Sequence, residues 1–125
     1  MHDAAVTAAR KQYRDVIDRL VDSCLEGQGQ IGANRARRGI WNPNELSHRD
    51  DMQDQAAMND LLARLAPDDR ELLARTFSEQ FIHGVHETLV VLHEEQVPPF
   101  DEGYEGSPFH DFVGRLDGWP WPTTT

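Results

Sequence analysis

His83, His86, His93 and His110, with Glu87, Glu94 and Asp111 beside them, are the side chains of this sequence best suited to chemistry. Imidazole and carboxylate are the natural ligands of zinc, iron and manganese. On a helix His83 and Glu87 stand one turn apart, as do Glu79 and His83, which permits shared ligation. His86 and His93 are seven residues apart, or ~10 Å along a helix axis, which is too far to share one ion easily. A metal site would therefore draw on His83, His86 and Glu87 from one helix and on His110 or Asp111 from a neighbour. Neither H-E-x-x-H nor a paired E-x-x-H is present. Histidines at the border of a core more commonly bond to carboxylates or backbone carbonyls. That structural role is the expected one, and no cofactor is expected.

Arg35, Arg37 and Arg38 form the one basic cluster. A guanidinium presents a planar fork of donors that fits phosphate or carboxylate. The rival reading pairs these arginines with the chain's own carboxylates. Three charges without interleaved aromatics, beside an acidic body, make a poor nucleic-acid site. Gly27, Gly29 and Gly32 spell G-x-G-x-x-G, but a helix precedes the motif where a dinucleotide fold needs a strand. It reads as a coincidental flexible linker. The lone Cys24 lies on an apolar helix stripe and reads as a packed hydrophobe. Serine-nucleophile and phosphate-loop motifs are absent.

These residues sit in a chain of 125, with 22 acidic against 12 basic side chains and a formal charge of −10. Residues 1–49 carry a small positive excess, and residues 50–125 hold sixteen acidic and four basic side chains. Such a body repels nucleic acid and anionic membrane and attracts a basic partner. No apolar run reaches the ~20 residues that span a bilayer, and the first residues lack the layout of an export signal. With one cysteine the expected compartment is reducing, hence the cytoplasm.

The expected architecture is a single all-α domain over 1–125, a bundle of three main helices and a short fourth. Val6, Ala9, Tyr13, Val16, Ile17, Leu20 and Cys24 recur at spacings of three and four and place the first helix at about 4–26. Residues 27–50 read as a long Gly- and Arg-rich connection anchored by Ile40 and Trp41, with room for a short helix near 34–38. Met58, Leu61, Leu62 and Leu65 mark a helix over 51–65. Pro67, followed by Asp68, Asp69 and Glu71, opens another that runs to about 96, before Pro98. Ser107-Pro108 starts the last, over 108–117, with Gly118 as its stop. The closing Trp119-Pro120-Trp121-Pro122 is expected to fold back over the first and last helices, since two exposed tryptophans would invite aggregation.

Several blocks carry a resemblance: Asn59-x-Leu61-Leu62-x-x-Leu65-x-Pro67, the run from Gly84, His86 and Glu87 to Leu92-His93-Glu94, and Phe109-His110-Asp111-Phe112-Val113-x-Arg115-Leu116-x-Gly118-Trp119-x-Trp121-Pro122. Together they resemble a family of small bacterial proteins of unknown function, over residues 59–122. The resemblance implies a bacterial source and one inherited unit, and it carries no catalytic or ligand set.

The function expected from the residues is protein binding or regulation without catalysis, for example an immunity-type protein that neutralises a basic toxin. A metal-binding protein or metallohydrolase built on the histidines is the alternative. An anion binder built on the arginines comes third.

Overall fold

The computed structural model describes residues 2–44, 53–96 and 103–123. Among them every regular element is a helix: α1 (His2–Leu25), a 3-10 turn (Gln28–Gln30), α2 (Ile31–Arg38), α3 (Gln53–Arg64), α4 (Pro67–Glu94) and α5 (Pro108–Leu116). The all-α class and the four expected helices are borne out, with ends within a residue or two of the expected ones. Residues 51, 52, 97–102 and 45–50 lie outside the described residues.

The connection at 27–50 is where expectation and structure part. Its first third is helical, and the possible short helix is a full α2 of eight residues. The G-x-G-x-x-G stretch is not a flexible linker. Gly29 is buried, and a Cβ there would stand 2.6 Å from the Cys24 carbonyl oxygen and 2.9 Å from the Phe81 ring. Gly32 faces the Trp41 indole, 3.3 Å from an added Cβ. These glycines let helices approach closely, a packing role that a helix-breaking composition disguises.

The chain forms two compact units, Met1–Ser23 with Ile82–Thr125, and Cys24–Phe81. In the second, Ala33 and Ala36 of α2, Leu62 of α3 and Ala74 of α4 are fully buried, and Trp41, Leu65, Leu73 and Phe77 pack against them. Small residues at the centre bring the helices close enough for the aromatic rings to close the sides. Trp41 meets Phe77 edge-on at 5.7 Å. The segment after α2 is pinned by Asn59, whose Oδ1 accepts from the Trp41 and Asn42 backbone N–H groups at 2.5 and 3.0 Å. Its amide nitrogen donates to the Asn42 carbonyl at 2.7 Å. Gln30 donates to the Cys24 carbonyl (2.9 Å) and the Ser78 hydroxyl (2.8 Å), tying the turn to α4.

In the first unit Tyr13, Ile17 and Val21 of α1, Leu89 of α4 and Phe112 of α5 are buried. Each large side chain removed from water contributes ~1.5–3 kcal/mol. Not all of the apolar stripe goes inside, because a helix buries an arc: Val16 is 52% exposed and Val113 39%.

Two helices end in the same device. Gly39 (φ 78°) and Gly118 (φ 80°) adopt the left-handed conformation that glycine takes without strain. The Ile40 N–H reaches back to the Arg35 carbonyl, and the Trp119 N–H to that of Gly114. Both are Schellman closures that satisfy carbonyls at a helix end. The expected capping hydroxyl of Ser107 behaves differently. Ser107 holds the N-cap position of α5, but its Oγ lies 2.6 Å from Nδ1 of His110 and makes no cap bond to the backbone.

Candidate functional site

α2 displays the three arginines in different directions. The Arg35 guanidinium lies 5.5 Å above the Trp41 ring. Arg37 donates from Nε and Nη2 to the two oxygens of Glu71, at 2.8 and 3.3 Å, and from Nη1 to Asn34 Oδ1 at 3.1 Å. Every nitrogen of that guanidinium thus has a partner within the unit. The carboxyl of Glu71 is held below its ordinary value, first by the hydrogen bond from Arg37 and then by the charges of Arg37 and Arg75, against a smaller opposing effect of burial. Arg38 is exposed. An anion arriving at this helix would compete with Glu71 for Arg37 and with Trp41 for Arg35.

The histidines converge on a phenyl ring. His86 and His93 meet Phe109 edge-on, at 5.7 and 5.4 Å, and His110 lies tilted against it at 4.3 Å. The near superposition of His86 and His93 on α4, read from their spacing of seven, puts both within reach of one partner on α5. That partner is an aromatic ring. Besides its contact with Ser107, His110 places Nε2 3.3 Å from Glu105. His83 and Glu87 are exposed. Asp111 is fully buried and faces other company: Oδ2 accepts from the Tyr13 hydroxyl at 2.6 Å, and Oδ1 from the Tyr104 N–H at 2.7 Å. The structure therefore brings His86, His93 and His110 together and directs Asp111 away from them. Among the described residues no three His, Cys, Asp or Glu side chains stand where they could hold one ion.

The most elaborate polar assembly was not foreseen as a site. Asp18 of α1 accepts from Arg115 Nε at 2.7 Å and from the Trp121 indole N–H at 3.0 Å. Arg115 also donates to the Trp119 carbonyl, which accepts from the Tyr104 hydroxyl at 2.8 Å. The bond to Asp18 is the leading reason that the Arg115 guanidinium holds its proton even more firmly than usual. Trp121 stacks on Tyr104 with centroids 5.3 Å apart and rings 5° from parallel, and Arg14 and Arg115 lie 4.9 and 5.5 Å from its ring. The tail folds back over α1 and α5 as expected of its tryptophans. Its anchors are polar and lie about a hundred residues away, so no local pattern announces them. One signal was available: a tyrosine on a buried stripe needs a partner for its hydroxyl, and Asp111 stands between two phenylalanine-bearing positions of an apolar helix.

Cys24 is completely buried, and burial pushes its thiol above the ordinary value. A neutral, enclosed thiol fits the packing role and not that of a nucleophile.

No curated protein and no solved structure matches the chain. A family model does match, over residues 6–123, and so takes in α1, α2 and the Gly- and Arg-rich stretch that resembled nothing known. The chain belongs to the family of unknown function DUF6547.

Proposed function

We propose that this protein works by binding another protein, and that an acidic surface contributed by residues 82–125 receives a basic partner. One observation carries the reading. Those residues hold eight acidic side chains and a single arginine. That arginine, Arg115, is committed to Asp18 and the Trp119 carbonyl. Glu87, Glu94, Glu95, Glu105 and Asp117 are all exposed. A field of one sign at the surface raises the encounter rate with an oppositely charged partner and loses that advantage in salt. The arginines of α2 support the same view, since Arg35 and Arg37 serve the fold and leave little for an anionic ligand. An immunity-type role against a basic toxin is one specific form of this reading.

The test is capture of partners from a bacterial lysate by the intact protein at ~20 and ~500 mM salt, where screening differs severalfold. A specific basic protein retained at low salt, and lost both in high salt and with the Glu87→Gln, Glu94→Gln, Glu95→Gln variant, is the expected result. If nothing is retained at low salt, or the triple variant retains the same protein, the reading fails.

A further inference from the structure

α1 carries two seams. Tyr13, Ile17, Val21 and Cys24 form the buried one. Ala9, Gln12, Val16 and Arg19 form another, at spacings of three, four and three, and all four are exposed. That is the spacing by which one helix packs along a second. A depression of about 400 Å³ lies on this seam, lined by Ala9, Gln12, Tyr13 and Val16. A second, of about 360 Å³, is flanked by Lys11, Asp15 and Arg19. Lys11 and Asp15 form an exposed ion pair at 2.6 Å beside it.

We propose that this seam docks antiparallel on the same seam of a second copy of the chain, about a two-fold axis beside Gln12. The residue sizes and charges select that occupant. Antiparallel pairing centred there sets Val16 against the partner's Ala9, a branched side chain over a small one, and repeats the match across the axis. The same register sets Lys11 opposite the partner's Asp15 and Asp15 opposite the partner's Lys11. A parallel arrangement would oppose lysine to lysine and aspartate to aspartate. Gln12 meets its own counterpart at the axis, where two side-chain amides can bond each other and fix the register, the use to which a lone polar residue in a helical seam is put. Because the flank alternates in sign, it does not match a uniformly acidic or basic partner helix, whereas it matches itself. Such an isologous contact closes at two copies and does not propagate. From Ala9 to Arg19 the seam is ~15 Å long, so the contact is small and the dimer weak and concentration-dependent. The inference stands apart from the acidic-partner reading, since it uses α1 and not residues 82–125.

The experiment is sedimentation equilibrium of the full chain over a wide concentration range, with Val16→Asp, Lys11→Asp and Asp15→Lys, each first checked for unchanged helicity. The wild type is expected to associate, and each variant alone to stay monomeric. An equimolar mixture of Lys11→Asp and Asp15→Lys should associate again, since each then opposes aspartate to lysine at both contacts. A wild type that is monomeric at every concentration overturns the proposal, as does association that persists in Val16→Asp. A mixture no better than its two components also overturns it, because the register would then be wrong. So does a monomeric wild type whose seam binds an unrelated amphipathic peptide, which would assign the face to a foreign partner.

Discussion

Trp41 and Trp121 arrive at similar positions by similar routes. Each follows a helix closed by a left-handed glycine, and each receives an arginine six residues earlier in the chain at 5.5 Å from its ring, Arg35 in one unit and Arg115 in the other. The surroundings then diverge. Trp41 closes a core of alanine and leucine and meets Phe77 edge-on, with Asn59 holding its backbone. Trp121 is gripped through its indole N–H by Asp18, lies flat on Tyr104 and has two guanidinium groups near its ring. One tryptophan is held mainly by exclusion of water, the other mainly by directed polar contacts. The first kind of anchor tolerates imprecision, whereas the second depends on every partner being present.

The sharpest way to break the polar side of this comparison is Asp111→Ala. It leaves the Tyr13 hydroxyl and the Tyr104 N–H without their acceptor in a buried position, and we expect a loss of ~3–5 kcal/mol in urea unfolding. Tyr13→Phe removes one donor and keeps the ring, so its cost should be ~1–2 kcal/mol.

Replacing the tryptophans comes next. Trp41→Phe should lose only volume, ~1–2 kcal/mol, because its contacts are apolar. Trp121→Phe loses volume and the bond to Asp18, leaving Asp18 to Arg115 alone, and should cost ~1 kcal/mol more than its counterpart. Equal costs for the two changes would erase the distinction between the anchors.

A smaller effect separates the two glycines. Gly118→Ala meets open space and should cost ~1–2 kcal/mol for a left-handed alanine. Gly39→Ala carries the same backbone cost and also runs into the Arg70 guanidinium, 2.2 Å from the added Cβ, so thermal unfolding should show the larger loss there.

Weakest of all is the exposed pair of Arg37 and Glu71. Glu71 titrates below its ordinary value of 4.5 in the folded chain, so the pair contributes fully above that pH and its contribution fades as the pH falls through the lowered value. Arg37→Gln should move the Glu71 titration, followed by carbon NMR, up towards 4.5. No movement would show that the bond in the structure does not persist in solution.

Periodicity made α1, α3, α4 and α5 legible, since apolar residues at three- and four-residue intervals need nothing beyond local sequence. It also placed His86 and His93 on one line of α4, and Phe109, their common partner, on the apolar face of α5. What it hid has a physical cause in each case. α2 carries three arginines, an asparagine and a glycine and buries only two alanines, so it has almost no apolar signal even though it packs at the centre of its unit. Asp111 sits two residues from Phe109 in the sequence, but its fate depends on Tyr13, 98 residues away. Helix patterns report which side faces inward. They do not report which polar group waits there.

The side chain of Asn59 behaves as a borrowed piece of main chain. It offers the two N–H groups and one carbonyl of residues 41 and 42 the partners that a neighbouring strand would have supplied. Because α3 grips the chain in this way upstream of its own start, the two ends of the intervening stretch are fastened independently of what lies between them. Insertions or deletions between Asn44 and Gln53 should therefore leave the alanine-centred core intact, which makes that interval the natural place to splice in a reporter or an affinity sequence.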